Sequence, residues 1–235
     1  MNQPKKFTYQ DFGVILASQS PRRKQLLEWA EIPFEIIVHT TDESYPAELS
    51  VDEVALHIAK NKALAVQAFI NENATTANKK IIIAADTIVV LGNEIIGKPN
   101  DRQDAIKILQ KLSGQRHKVI TGVVLLDNEK EVAFADTTEV EFHLLTTEQI
   151  IFYVDKYSPY DKAGAYAIQE WIGVVGIHSI KGDFYNVMGL HVSKVVQALQ
   201  LMVMELPKFI LVIKNNRYHC CKACTTLLTG NPITL

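Results

Sequence analysis

The chain has 235 residues, 48% of them hydrophobic and 21% charged, a balance that fits one or two soluble globular lobes. A formal charge of −2 and a pI near 6.4 argue against a nonspecific grip on the nucleic acid backbone. No stretch reaches the roughly 18 apolar residues of a membrane span, and the polar residues 1–12 lack the apolar core of a signal peptide. Neither nucleic acid nor membrane is therefore an expected partner, and a cytoplasmic location is expected.

Residues 14–17 (VILA) read as a short buried strand that runs into Ser18-Gln19-Ser20-Pro21-Arg22-Arg23. Ser20 is a good helix N-cap, Pro21 suits the first helical position, and Leu26, Leu27 and Ala30 supply an apolar face, so a helix starts here. Its first turn carries two guanidinium groups beside free backbone N–H groups, although cations are unfavourable at the positive end of a helix dipole. A bound anion removes that conflict, because helix N-termini and arginine forks both favour phosphate. The alternative is a solvated, misplaced charge pair.

Residues 34–38 predict a second strand. Ser50 and Glu53 form a capping box for a long helix to about Asn71, with the apolar stripe Val54, Ala55, Ile58, Ala59, Ala65, Val66 and Phe69. Lys62 interrupts that stripe, four residues after Ile58 and four before Val66. It either snorkels outward along its own stem or reaches an internal cleft and meets an anion. Residues 73–80 are a polar loop, and residues 81–85 (IIIAA) form the continuous apolar run of a strand covered on both faces. Asp86-Thr87 interrupts this run before residues 88–91 resume it. Gly92-Asn93 marks a turn, residues 94–96 return, and Gly97-Lys98-Pro99 ends the hairpin.

Asp101 caps a helix ending near Leu112, with Ala105, Ile108, Leu109 and Leu112 facing inward, and Ser113-Gly114 breaks it. Residues 119–126 and 131–145 read as two long strands. In the second, Thr138, Val140, Phe142 and Leu144 alternate with Glu139, Glu141 and His143, which implies one wet face. Thr146 with Gln149 caps a helix to about Lys156. A glycine- and tyrosine-rich segment (160–169) follows, then a strand at 174–180, a loop at 182–189 and a closing amphipathic helix at 192–202. Strands mixed with helices throughout predict an α/β fold around a mixed sheet.

Asp86 is the sharpest single residue, because a carboxylate inside a nearly continuous apolar strand is costly unless it is paired, hydrogen-bonded or metal-bound. It is a general base, a ligand for a hard divalent cation, or a structural carboxylate capping a nearby turn. Lys98 alone is an ordinary turn lysine. With Arg22, Arg23 and Lys62 it becomes a fourth cation for a cleft containing Asp86, a set that suits polyphosphate better than a glycoside or an acyl group. The signatures of other sites are missing. Gly97-Lys98-Pro99 is no Walker loop, and no G-x-G-x-x-G, G-x-S-x-G or H-E-x-x-H is present. His117, His178 and His191 read as surface or core residues. Cys220, Cys221 and Cys224, preceded by His219, resemble a zinc half-site or else belong to an incidental tail.

Several motifs occur in a fixed order: S-x-S-P-R-R after a short strand, A-A-D-T, G-K-P, L-S-G-x-x-H-x-V-x-T, D-K-A-G-A-Y-x-I-Q and I-x-G-D-F-Y-N-V-x-G-L. Together, over about residues 13–200, they resemble the Maf family of nucleoside triphosphate pyrophosphatases. The resemblance implies a mixed, elongated sheet flanked by helices, with two lobes and a central cleft, in a domain of residues 1–202. It also implies cleavage of a triphosphate between its α and β phosphates with a divalent metal, Mg2+ or Mn2+. By motif, Ser18, Arg22 and Arg23 fall in the phosphate-binding turn, Lys62 matches the lysine of the long helix, and Lys98 matches the lysine of the G-K-P turn. Asp86 matches the proton acceptor and shares the metal with Glu43. The specificity positions fall on Arg22, Thr87 and Gln169, and these residue types resemble the branch acting on dTTP and UTP, with house-cleaning of modified pyrimidine nucleotides as an implied role. The Gln169 amide, which both donates and accepts, suits a pyrimidine edge.

A homodimer is implied by the same analogy. The resemblance also leaves open a nucleotide-binding regulator of cell division and septum formation with little catalysis, or a nonspecific phosphatase. The chain departs from the family pattern in two places. His191 stands where proline is usual, and residues 203–235 match nothing in the family, reading as a tail of unassigned role or a translated frameshift, poorly packed and away from the cleft.

Overall fold

A computed structural model describes residues 12–73 and 80–203, together with the backbone of 211–214 and 217–219. The readings made for residues 1–11, for most of the polar loop (74–79) and for Cys220, Cys221 and Cys224 lie outside the described residues.

Among the described residues, nine strands form one mixed sheet: β1 (Gly13–Leu16), β2 (Glu35–Ile36), β3 (Lys80–Leu91), β4 (Glu94–Ile96), β5 (Arg116–Leu126), β6 (Glu131–Phe142), β7 (Ile177–Lys181), β8 (Leu211–Lys214) and β9 (Arg217–His219). The order is β2-β1-β3-β5-β6-β8-β9, with β4 paired to β3 and β7 to β6. β1 runs parallel to β2 and β3, while β3, β5 and β6 are antiparallel to one another in sequence. The helices are α1 (Pro21–Trp29), α2 (Val51–Asn73), α3 (Arg102–Leu112), α4 (Thr147–Tyr157), α5 (Trp171–Gly176), α6 (Phe184–Met188) and α7 (Val192–Val203). The expected mixed sheet flanked by helices is present. Within the C-terminal segment, β8 lies parallel to β6 and β9 pairs with β8. No helix among the described residues is long and apolar enough to cross a membrane.

The long strand β3 is apolar apart from Lys80, Asp86 and Thr87 because both its faces are covered. Successive side chains alternate between faces. Ile82, Ala84, Ile88 and Val90 pack with α2 residues such as Ala55, Ile58 and Ala63, while Ile81, Ile83, Ala85 and Val89 enter the main core with Leu26 of α1 and Leu109 of α3. The same alternation sends Asp86 toward α2 and Thr87 toward the other face. Directly across from Asp86, Gly122 of β5 lies under α2. A Cβ at that position would sit 2.4 Å from the Ala55 carbonyl carbon. The missing side chain lets α2 rest on the sheet.

Most caps form as the sequence predicts. Glu53 N donates to Ser50 Oγ and Ser50 N to the Glu53 carboxylate, Asp101 accepts from Asp104 N, and Thr146 with Gln149 makes a reciprocal box. Five details differ. On α2 the inward face uses Ala63 rather than Ala65, and Phe69 lies half-exposed against the His39 ring. On α3, Ile106 is buried while Ile108 packs at the edge of the core. Leu144 is 84% exposed because β6 ends at Phe142 and the alternation stops with it. The expected strand at 174–180 begins as helix α5, where Gly173 N and Val174 N both donate to Glu170 O; strand geometry starts at Ile177, where Phe142 of β6 offers a partner. The expected loop at 182–189 contains α6, capped by the Asp183 carboxylate accepting from Asn186 N at 2.6 Å.

Candidate active site

α1 opens as the sequence predicts. Ser20 Oγ accepts from Arg23 N at 3.5 Å, Pro21 leads the helix, and no acidic side chain lies in the first turn to offset the arginines. The two guanidinium groups part company there. Arg23 is buried and donates three directional hydrogen bonds: Nε to Gly189 O (2.8 Å), Nη1 to Ser18 Oγ (3.1 Å) and Nη2 to Thr87 Oγ1 (2.9 Å). Burial pulls its pKa below the ordinary arginine value; the Asp86 charge opposes this and the Arg22 charge reinforces it. Gly189, at φ 118°, closes α6 in the left-handed region that favours glycine, and its carbonyl receives the Arg23 Nε. Arg22 instead leans across the entrance, with Nη1 3.2 Å from Asp161 Oδ2.

Lys62 takes the inward path. Its ammonium lies 2.6 Å from Asp86 Oδ1 and 2.7 Å from Glu43 Oε1. Burial pushes the Glu43 carboxyl up, yet the Lys62 hydrogen bond and charge, with Lys98 and Arg23 behind it, hold it below its usual range. Lys98 Nζ stands 3.9 Å from Glu43 Oε2, and its turn is pinned by Gly164 N donating to Gly97 O at 3.0 Å. Asp86 and Thr87, on opposite faces of β3, both line the same cleft.

That cleft holds about 570 Å³ and gathers Ser18, Arg22, Arg23, Glu43, Lys62, Asp86, Thr87 and Lys98 into one lining. Gln169 is not brought in. It is exposed in a turn, while Ala167, two residues earlier, reaches the cleft wall. Two lining residues, Asp161 and Lys162, were not singled out by the sequence. Lys162 is buried, with Nζ 2.7 Å from Asp161 Oδ1 and 3.6 Å from Glu170 Oε1. Burial raises the Asp161 carboxyl, and Lys162 together with Arg22 brings it below its ordinary value. The available signal was a lysine set among alanines, a glycine and tyrosines, where a solvated charge has little polar company. Five cations (Arg22, Arg23, Lys62, Lys98, Lys162) thus face three acids (Glu43, Asp86, Asp161) across the lining. That excess favours a polyanion.

Of the histidines, His39 lines the cleft, while His57, His117, His143, His178 and His191 lie outside its lining. His117 is buried, with Nε2 2.8 Å from the Tyr166 hydroxyl, and desolvation drops its pKa to about 4. His191 places Nδ1 2.6 Å from Asp136 Oδ2, beside the Lys194 ammonium on the same carboxylate. His143 and His178 are an exposed pair at 4.8 Å. Among the described residues, no group of three or more histidine, cysteine, aspartate or glutamate side chains is arranged to hold a metal by itself.

A family profile described as "Maf-like protein" matches residues 13–202. A dTTP/UTP pyrophosphatase of Cytophaga hutchinsonii is 49% identical over 189 residues, covering 80% of this chain and 84% of that protein. A dTTP/UTP pyrophosphatase of Parabacteroides distasonis is 45% identical over 190 residues, covering 80% of this chain and 95% of its own length. Among solved structures, the Staphylococcus aureus Ham1 protein overlays with a TM-score of 0.47 at 16% identity, covering 82% of this chain and 100% of that one. With its motifs in order and the profile matched across most of its length, the chain belongs to the Maf-like protein family.

Proposed function

We propose that this protein is a nucleoside triphosphate pyrophosphatase that hydrolyses dTTP and UTP to the monophosphate and pyrophosphate. The observation that carries the reading is the convergence in one cleft of Asp86 with cations from separate segments of the chain, at the N-terminus of α1. Relatives at 45–49% identity carry the dTTP/UTP pyrophosphatase name, which supports the choice of substrate.

In this reading Asp86 takes a proton from the water that attacks the α-phosphorus. The bond from that phosphorus to the α,β-bridging oxygen breaks, and pyrophosphate leaves with the electron pair. Arg23, fixed at three points, and the less constrained Arg22, Lys62 and Lys98 offset charge that builds on the phosphates and the leaving group. Lys62, between two carboxylates, holds both in place before substrate arrives. Thr87 and Gln169 are assigned to recognition of the nucleotide. Gln169 does so from an exposed turn, two residues after the cleft-lining Ala167.

Asp86 and Glu43 would hold a divalent cation such as Mg2+ or Mn2+. The donor set fits: two hard carboxylates converge on one ammonium, and Mg2+ is commonly held by one or two carboxylates with substrate phosphates completing its shell. Such an ion polarises a phosphoryl oxygen. Residues 1–202 form the catalytic domain and 203–235 an appended segment of unassigned role, acting in the cytoplasm; light scattering checks the implied homodimer.

A panel of nucleoside triphosphates, each assayed with Mg2+ and Mn2+ for pyrophosphate, orthophosphate and monophosphate, tests the reading. Pyrophosphate with monophosphate from dTTP and UTP is expected. Orthophosphate as the product, or tight binding of intact triphosphate, refutes it.

A further inference from the structure

The L-S-G-x-x-H-x-V-x-T motif (residues 112–121) ends on a threonine that the chemistry above does not use. Thr121 is fully buried on β5, directly opposite Thr87 of β3. Its hydroxyl lies 3.0 Å from the main-chain oxygen of Asn186 and 3.0 Å from Thr87 Oγ1. Thr87 Oγ1 in turn lies 2.9 Å from Arg23 Nη2. The two ends of this chain fix every proton in it. A carbonyl oxygen only accepts, so the single Thr121 proton goes to Asn186 O. Thr87 must then donate its own proton to Thr121. A guanidinium only donates, so Arg23 gives to Thr87. The direction Arg23 to Thr87 to Thr121 to Asn186 has no alternative that keeps all three bonds.

Two consequences follow for the cleft. Thr87 has no proton left for a ligand and presents only a lone pair. Arg23 is held at its third contact by an oxygen whose own orientation is enforced from behind, and two of its five N–H donors remain for a bound anion. We propose that Thr121 is a positioning residue which, acting through Thr87, holds the Arg23 guanidinium in its anion-binding pose and makes Thr87 acceptor-only toward the nucleotide. This deepens the pyrophosphatase reading and rests on it for the identity of the substrate.

A double-mutant cycle of Thr121→Val and Thr87→Val tests the relay, with Thr121→Ser as the variant that keeps the hydroxyl. Two quantities are read: kcat/KM for dTTP by pyrophosphate release, and Kd for inorganic pyrophosphate without metal by calorimetry. Thr121→Val is expected to worsen both by roughly tenfold, the scale of one lost hydrogen bond supporting a charged group. Thr121→Ser should stay near wild type. The double variant should lose no more than Thr87→Val alone, because the rear hydroxyl acts only through the front one. Losses that multiply, or a Thr121→Val protein equal to wild type in both readouts, overturn the proposal. Losses that track a lowered Tm and are not restored by Thr121→Ser also overturn it. Coupling in pyrophosphate affinity without any dTTP hydrolysis would refute the pyrophosphatase reading and keep the relay. Hydrolysis with multiplying losses would refute the relay alone, and a wild-type protein that neither hydrolyses dTTP nor binds pyrophosphate overturns both.

Discussion

Gly122→Ala is the substitution that most directly joins the fold to the chemistry. The added Cβ would stand 2.4 Å from the Ala55 carbonyl carbon and 2.5 Å from both the Ala55 oxygen and the Leu56 nitrogen, where ordinary contact begins at 3.4 Å. All three atoms are backbone, so no side chain can rotate out of the way. α2 must retreat from β5 by about 1 Å, or the strand must give by the same amount. Lys62 lies two helical turns beyond Ala55, roughly 10 Å along a rigid element, so it is carried with the helix. Its 2.6 Å contact with Asp86 opens correspondingly. Overpacking of this kind costs about 1–3 kcal/mol, which for a chain of this size lowers Tm by roughly 2–12 °C. A misplacement near 1 Å in a positioning element costs about a hundredfold in turnover. Pyrophosphate release from dTTP, scanning calorimetry and Ala55→Gly as a control check the reasoning. Ala55→Gly should not rescue, since the clash is with the Ala55 backbone. A Gly122→Ala protein with wild-type Tm and wild-type turnover would refute the account of why α2 sits where it does.

Other outcomes follow from the same geometry. Asp86→Asn should keep Tm and circular dichroism while losing nearly all turnover; full pyrophosphate release from this variant removes Asp86 from the mechanism. Arg23→Lys should lower kcat/KM by roughly 10²–10³-fold, because a point charge cannot serve three acceptors at Ser18, Thr87 and Gly189 at once. Steady-state kinetics on dTTP decides this, and an Arg23→Lys variant as active as wild type would show that the fork geometry is irrelevant. For His117, desolvation lowers the folded-state pKa from 6.5 to about 4, so the unfolded chain binds the extra proton between those values. Its contribution is fully present above pH 6.5 and is lost as pH falls toward 4, by about 3 kcal/mol at most. Urea unfolding across that range, with the imidazole followed by NMR, tests it, and titration of His117 near pH 6.5 in the folded protein contradicts it.

The sequence was most legible where the signal is local. Ser20-Pro21, Ser50 with Glu53, Asp101 and Thr146 with Gln149 each announce a helix start through backbone donors that need a nearby acceptor, and each is where it was expected. Val174-Val175 misled because β-branched residues favour strands only where a partner strand exists, and β6 offers one only from Ile177 onward. Asp183 carried the same cap signal as Asp101, yet a five-residue helix is too short to show an apolar period.

The residues of the candidate site were mostly visible as chemical conflicts: cations at a helix N-terminus, a carboxylate in an apolar strand, a lysine on a buried stripe. Each conflict is a property of local sequence, so the chain alone determined that Arg22, Arg23, Asp86 and Lys62 needed partners. Which partner each one took was decided only in three dimensions. Asp86 and Thr87 point to opposite faces of β3 and still share a cleft, Gly122 opposes Asp86 across a pairing between strands far apart in sequence, and Arg23 closes on Gly189, 166 residues away. Lys162 escaped notice because its segment has no regular helical or strand period to mark the position as buried, and burial is what sets it apart from an ordinary surface lysine. Local sequence fixes which groups cannot stand alone, since solvation and dipole costs act within a turn or a strand. Tertiary structure assigns them to one another, because the distances that satisfy those costs exist only after the sheet has closed.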